Sequence, residues 1–250
     1  MPEDTEAADG VSQPERSGFF VYVVESPSPV DIYHGRSEGG IVAQAVALDG
    51  TPSVVRTAIN PDAFVAALRI GLPQAMKEYP DKFPLLHLSA HGGPDGIQLS
   101  SGDIIEWAQL RTLITPINQS LQGHLILCMS ACEGYSACRM AMGLGSDPHP
   151  YFAMIGHCGT PTWSDTAISY LVFYHLVAKG THPVEAVEAM KAASGDAGWI
   201  VETAQETKKS FLEAVMKELS LGAAQRELEG VAEKEELPQG AKALDGEPHA

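Results

Sequence analysis

Short apolar runs alternate with segments of helical character along most of this chain. The apolar runs predict five strands, at 19–25, 53–59, 84–90, 124–130 and 151–156. Helical spacing and helix-start and helix-stop residues predict helices at 38–48, 61–79, 107–114, 164–180, 183–193 and 199–219. Strands that are apolar throughout and separated by helices are typical of a mostly parallel sheet covered on both faces. The pattern therefore predicts an α/β fold.

The alternation continues without an internal repeat or linker, so residues 18–221 are expected to form one domain. The flanking segments 1–17 and 222–250 are polar and poor in aromatic residues, and both are expected to be disordered tails.

Four local features sharpen the predicted boundaries. Pro73 should break the helix over 61–79, and Pro116 should end the helix that starts at residue 107. Ser164 is expected to cap the helix over 164–180, whose buried stripe would contain the apolar residues Ile168, Leu171, Val172 and Leu176. The segment "GIQLSSGDIIE" predicts a hairpin that turns at Ser-Gly.

Composition narrows the classes of partner and compartment. Lys and Arg total 16 against 32 Asp and Glu, a net charge of −16, which argues against a nucleic-acid partner because phosphates require a basic surface. The longest apolar run, "FFVYVV", is too short to cross a membrane, and the N-terminal residues lack a signal-peptide pattern. Four cysteines within 31 positions do not form a disulfide framework in a chain of this length, so a cytoplasmic location is expected.

Two strands end in the same way, in "LLHLSAHGG" and in "LILCMSACEG". Each run reaches Ser-Ala and is followed by a reactive side chain, His91 in the first and Cys132 in the second. The carboxyl ends of parallel strands meet at one edge of a sheet, where active groups gather. A thiol attacks as the thiolate, and an imidazole nearby supplies the base. We therefore predict a catalytic pair, with backbone N–H groups of Gly92 and Cys132 as an oxyanion hole.

These residues also carry a family resemblance. "HLSAHGG", followed 41 positions after its reactive histidine by the cysteine of "SACEG", resembles the His-Gly and Ala-Cys-x-Gly signatures of clan-CD, caspase-like cysteine peptidases. Within that group the chain is most similar to CHAT domains, through the hairpin "GIQLSSGDI" and the later segment "YFAMIGHCGTPTWSDTAISYLVFYHLVAKG". The resemblance covers 84–195 well and 19–80 by pattern alone.

The resemblance implies a caspase-like three-layer sandwich that cleaves a protein substrate, with Cys132 as the nucleophile and His91 as general acid and base. It implies no cofactor. The partner repeats usual for CHAT proteins are absent, so an activating or recruiting protein is expected. Prokaryotic relatives often act as regulated effectors in antiviral or stress signalling.

Further residues are candidates for substrate binding because they follow predicted strands at the same edge. They are Glu133, His157, Cys158, Trp163 and Asp165. A carboxylate in the pocket would select Arg or Lys before the scissile bond. Asp165 is the preferred pocket acid, although it could instead be a first-turn residue that favours the helix dipole. A zinc site formed by His157 and Cys158 with the catalytic pair is disfavoured, so no metal is expected.

Two other functions remain open at this stage. A domain that kept the fold and lost turnover would act as a binding or scaffold module. A cysteine-dependent amidase would use the same two side chains on a small molecule.

Overall fold

Eight strands form the framework of the computed structural model, which describes residues 17–235 and the side chains as far as residue 221. Their order across the sheet is β2-β1-β3-β6-β7-β8, with β4 and β5 forming a hairpin on the end of β3. The strands β1, β2, β3, β6 and β7 run parallel, whereas β8 is antiparallel to β7. The strands are β1 (Phe19–Ser26), β2 (Ser53–Thr57), β3 (Phe83–Gly93), β4 (Gly96–Gln98), β5 (Ile104–Glu106), β6 (Ile126–Ser130), β7 (Ala153–His157) and β8 (Trp199–Thr203).

Helices cover both faces of this sheet. They are α1 (Pro29–Tyr33), α2 (Glu38–Leu48), α3 (Pro61–Ala66), α4 (Leu72–Glu78), α5 (Trp107–Ser120), α6 (Trp163–Ala178), α7 (Pro183–Ser194) and α8 (Ala204–Glu235). A π-helical stretch (Ala67–Gly71) joins α3 to α4, and a 3₁₀ helix (Gly134–Ala141) follows β6. The helical path is therefore not interrupted at Pro73 as predicted. It continues, with wider hydrogen bonding just before the proline.

Alternate side chains of β1 enter two separate hydrophobic cores. Tyr22 and Val24 pack in the core that contains residues of α3, α4 and α5, whereas Val21 and Val23 pack in the core that contains residues of α2, α6 and α7. Successive side chains of a strand point to opposite faces, so a central strand with both sets buried must lie between two helical layers. The predicted α/β architecture, a mostly parallel sheet between helices, is confirmed.

Pro116 does not end α5, which continues to Ser120. Packing outweighs the proline here: Leu110 and Ile114 are fully buried, and the Asn118 side chain beyond the proline bonds the backbone of Leu125 and His149. Local propensity is a weak prior that tertiary contacts override.

Helix α6 begins one residue earlier than predicted, and Thr162, not Ser164, accepts the capping bond, from the Asp165 N–H. Its buried face is also different. Tyr170, Phe173 and Tyr174 face the core, whereas Ile168 is 46% exposed. The helix is apolar on most sides, so its sequence periodicity does not identify which face packs against the sheet.

The segment predicted as one helix over 199–219 contains an edge strand, β8, before the helix. Trp199 and the β-branched residues after it pair with β7. Thr203 and Glu206 then form reciprocal side-chain caps that start α8. A sequence window that spans a strand and a strong helix is dominated by the helix.

The segments predicted as disordered tails lie mainly outside the described residues. Ser17 is described and is buried, with its hydroxyl bonded to the Phe19 carbonyl. Helix α8 extends to Glu235, beyond the boundary expected at residue 222, because the helix as a whole is rich in Ala, Leu and Glu and has no proline before Pro238. One compact unit ends at Lys208, and the described residues from Lys209 to Glu235 belong to a second. Among the described helices, none is long and apolar enough to cross a membrane.

Candidate active site

Strands β3 and β6 are parallel neighbours, and their paired residues run from Leu85 with Ile126 to Ser89 with Ser130. His91 and Cys132 each follow two residues after the last pair. Both line one cleft of about 160 Å³ at the carboxyl edge of the sheet. The structure therefore brings the predicted pair together, and the reason is the one that the sequence suggested: parallel strands deliver their ends to the same edge.

Gly92 is the point at which the His91 segment contacts the Cys132 segment. A Cβ at residue 92 would lie 2.1 Å from the Cys132 carbonyl oxygen and 2.8 Å from Cβ of Ala131. Only a residue without a side chain allows this approach. The glycine after His91 is thus required by the packing of the two strand ends.

A tight turn presents Cys132 to the cleft. Glu133 adopts a left-handed conformation with φ of 50°, and its N–H donates to the Gly159 carbonyl at 2.7 Å. The Gly134 N–H donates to the Ala131 carbonyl at 3.0 Å. These bonds attach the turn to the end of β7 as well as to β6, so the backbone that carries the thiol is held from two sides.

The loop that follows β3 is held by its Pro94 carbonyl. That oxygen accepts from Nε1 of Trp107 at 2.8 Å and from the guanidinium of Arg139 at 2.7 Å. Arg139 belongs to the 3₁₀ helix after Cys132, so it links the two loops. It is not among the residues that line the cleft.

A buried carboxylate lies beneath the pair. Glu38, at the start of α2, accepts from the Ser130 hydroxyl at 2.6 Å and from the Ser89 hydroxyl at 2.8 Å. His87 Nε2 lies 3.4 Å from its Oε1 atom. Burial acts to raise the pKa of Glu38, but the imidazole of His87 and the two hydroxyls outweigh it and hold the pKa below its ordinary value. Glu38 is therefore ionised at neutral pH.

The sequence did not indicate Glu38, because a glutamate in the first turn of a helix is usual for electrostatic reasons alone. A second acid, Glu25, is the penultimate residue of β1 and is also buried in the cleft wall. Its carboxylate accepts from the Ser37 hydroxyl and from the Gly39 N–H, both at 2.9 Å. It therefore anchors the start of α2 and with it Glu38.

Two charged residues from the segment between β1 and α2 line the cleft and were also not predicted. Arg36 Nε lies 2.8 Å from Asp31 Oδ1, and the Ser28 hydroxyl donates to Asp31 Oδ2 at 2.6 Å. This hydroxyl, and after it the neighbouring Arg36 guanidinium and His91 imidazole, hold the pKa of Asp31 below its ordinary value. Only the fold could place this segment beside His91, since it lies far from both catalytic candidates in the sequence.

The five candidate substrate residues separate into two groups. Trp163 lines the cleft, at the start of α6, and is 45% exposed. Four others are not among the lining residues: Glu133, His157, Cys158 and Asp165. The Asp165 carboxylate accepts from the Thr162 hydroxyl at 2.6 Å, so it completes the cap of its own helix. That contact matches the helix-start alternative for this aspartate.

His157 is a buried support at the end of β7. Its Nδ1 accepts from the Gly159 N–H at 3.0 Å, and its Nε2 lies 3.0 Å from Asp196 Oδ2. It thus holds the same Gly159 whose carbonyl receives the N–H of Glu133. Its neighbour Cys158 is exposed. Among the described residues, no group of three His, Cys, Asp or Glu side chains could hold a metal ion.

No protein-family model matches the sequence, and no curated protein matches it. Solved structures are similar to it at low identity. One is the complex of the pro- and mature domains of RgpB from Porphyromonas gingivalis, with 14% identity and a TM-score of 0.48 over 75% of this chain and 47% of that chain. Another is the Arg-specific cysteine proteinase gingipain R (RgpB), with 14% identity and a TM-score of 0.45 over 71% of this chain and 42% of that one. This chain spans less than half the length of either.

Proposed function

We propose that this protein is a caspase-like cysteine endopeptidase of the CHAT type, with Cys132 as the nucleophile and His91 as the acid and base. One observation carries the proposal: the two side chains, 41 positions apart in sequence, line the same cleft at the carboxyl edge of adjacent parallel strands. A thiol and an imidazole in one cleft are the minimum required for acyl transfer through a thioester.

The reaction follows from these two groups. His91 takes the thiol proton as the Cys132 sulfur attacks the carbonyl carbon of the peptide bond. The resulting oxyanion would be held by the N–H groups of Gly92 and Cys132, the pair proposed from the sequence. His91 then returns the proton to the leaving amine, which leaves a thioester on Cys132. A water molecule, deprotonated by His91, hydrolyses the thioester and restores the thiol.

The size and charge of the cleft favour a peptide over a small-molecule amide. Its volume of about 160 Å³ is below the roughly 300–1,000 Å³ of sites that enclose a whole small ligand. One amino-acid side chain fits, and the rest of an extended substrate would lie outside. Three carboxylates in the wall, those of Glu25, Asp31 and Glu38, against one guanidinium, that of Arg36, favour a basic side chain before the scissile bond.

The cellular setting is proposed on the CHAT resemblance alone. It consists of a cytoplasmic protein substrate, an activating or recruiting protein supplied separately, and a role as a regulated effector in prokaryotic antiviral or stress signalling. Neither a cofactor nor a metal is required by the chemistry above.

A peptide library tests the proposal directly. The wild type should cleave a subset of peptides, while Cys132→Ala and His91→Ala should each lose several orders of magnitude in rate, because the two groups act as a unit. Cys158→Ala is the matched control, since it removes an exposed thiol that does not line the cleft. It should retain wild-type activity.

The same experiment separates the alternatives. Full activity in a folded Cys132→Ala variant would contradict the peptidase proposal. A wild type that reacts with thiol-directed probes at Cys132 but cleaves no peptide or protein would favour the binding module. Turnover of small amides without peptide cleavage would favour the amidase.

A further inference from the structure

The two serines that precede His91 and Cys132 share one carboxylate. Ser89 and Ser130 are directly paired across β3 and β6, and each donates its hydroxyl to a different oxygen of Glu38. The Ser130 bond, at 2.6 Å, has the length of a charge-assisted bond, and the Ser89 bond is 2.8 Å long. Glu38 itself is 4% exposed and comes from a third element, α2. We refer to Glu38, Ser89 and Ser130 as the carboxylate clamp.

The clamp lies where the backbone pairing between β3 and β6 ends. The paired register of β3 and β6 ends at Ser89 with Ser130, and the reactive residues come two positions later. Beyond that point β3 leaves β6 and pairs with the hairpin strand β4, in which His91 lies opposite Gln98. The clamp therefore connects the two strands through side chains just before His91 and Cys132, which we call the dyad.

A contact with His87, which in turn contacts Tyr174, holds Glu38 in this position. His87 lies two residues before Ser89 on β3. Its Nε2 lies 3.4 Å from Glu38 Oε1, and its Nδ1 lies 2.8 Å from the hydroxyl of Tyr174. Both His87 and Tyr174 are fully buried. Because the two serine hydroxyls bond different oxygens of Glu38 and the His87 imidazole lies against one of them, the orientation of the carboxylate is restricted.

We propose that Glu38 is a positioning residue, which sets the separation of His91 and Cys132 by holding Ser89 and Ser130 together. The inference rests on the proposed function, because it assigns Glu38 a part in the same dyad. A buried carboxylate that accepts two hydroxyls could instead contribute only to stability. The two roles differ in one respect: positioning must change the reactivity of Cys132 in a protein that stays folded.

Alkylation of Cys132 measures that reactivity without any peptidase assay. Iodoacetamide is added at a series of pH values, and labelling of Cys132 and of the exposed Cys158 is followed by mass spectrometry, so that Cys158 serves as a reference in the same molecule. The variants are Glu38→Gln, which keeps the shape and removes the charge, Ser130→Ala, and Ser130→Thr, which keeps a hydroxyl. His91→Ala defines the labelling of a thiol without its base.

A matched control uses another carboxylate that accepts two hydroxyls. Glu202 accepts from Tyr135 and from Thr207 and does not line the cleft. Glu202→Gln should lower the melting temperature without changing the labelling ratio or its dependence on pH.

If Glu38 positions the dyad, Glu38→Gln and Ser130→Ala should lower the Cys132-to-Cys158 labelling ratio at neutral pH by about tenfold, towards the value of His91→Ala. Ser130→Thr, which keeps a hydroxyl, should retain the wild-type labelling ratio. In the peptidase assay Ser130→Ala, which leaves the charge of the cleft unchanged, should lose about 10²-fold in kcat with little change in KM, as expected for a misplacement of about 1 Å.

The outcomes separate the two proposals. A wild-type labelling ratio in folded Glu38→Gln, with a reduced ratio in His91→Ala, would overturn the positioning role and leave the peptidase proposal intact. If Glu38→Gln does not fold, the doubly substituted Ser89→Ala/Ser130→Ala takes its place, and an unchanged ratio there has the same meaning. An unchanged ratio in His91→Ala would overturn the dyad, and the positioning role with it.

Discussion

Replacing Gly92 by alanine should push the two halves of the site apart, although both reactive side chains, those of His91 and Cys132, remain present. The added Cβ would start 2.1 Å from the Cys132 carbonyl oxygen and 3.2 Å from its carbonyl carbon. Both neighbours are backbone atoms, so no flexible side chain can move aside. The Cys132 carbonyl, or the strand that carries His91, must withdraw by about 1 Å to reach an ordinary contact distance.

This displacement has two measurable consequences. Overpacking of this kind costs about 1–3 kcal/mol of unfolding free energy. For a chain of this size, the melting temperature should fall by about 2–4 °C for each of those kcal/mol. The effect on the reaction should be larger, because a misplacement of about 1 Å between reacting groups reduces the rate by about 10²-fold.

Gly93→Ala is the matched control. A Cβ at residue 93 meets no atom within 4 Å, and Gly93 is not among the glycines with a positive φ. The two variants are compared by kcat/KM on a cleaved peptide, by alkylation of Cys132 and by thermal unfolding. A Gly92→Ala variant with the activity and melting temperature of Gly93→Ala would refute the close contact on which the reasoning depends.

Two further predictions concern charge. The depressed pKa of Glu38 contributes stability that is present above the ordinary carboxyl pKa of about 4 and is lost as the pH falls through the lower folded value. The difference in melting temperature between the wild type and Glu38→Gln should therefore be largest near neutral pH and shrink below about pH 4, and a constant difference would contradict this linkage. In a peptide library, cleavage should favour Arg or Lys before the scissile bond, with the preference weakened by Asp31→Asn and unchanged by Asp165→Asn. Preferred cleavage after Asp or Glu would point to Arg36 as the recognising charge and would refute the basic preference.

Local pattern in the sequence was enough for the features that a few consecutive residues control. Continuous apolar runs specified the buried parallel strands, since a strand covered on both faces must be apolar on both. The same runs placed His91 and Cys132 just past two strands. In the structure β3 continues through His91 as it pairs with β4, but its pairing with β6 ends before His91, and parallel strands bring these ends to one edge whatever the details of packing. That is why the α/β class and the meeting of the two residues could be predicted.

Tertiary structure decided everything that depends on segments distant in sequence. Glu38 reaches serines 51 and 92 positions away, and no local signal distinguishes it from an ordinary helix-start glutamate. Pro116 remains inside a helix because Asn118 and the buried residues before it are held by packing. Asp165 was a candidate by its place after a strand, yet its carboxylate bonds Thr162 and Asp31 occupies the cleft wall instead. Which charge faces a cleft depends on the three-dimensional path of loops, and that path is set by contacts that the neighbouring sequence does not contain.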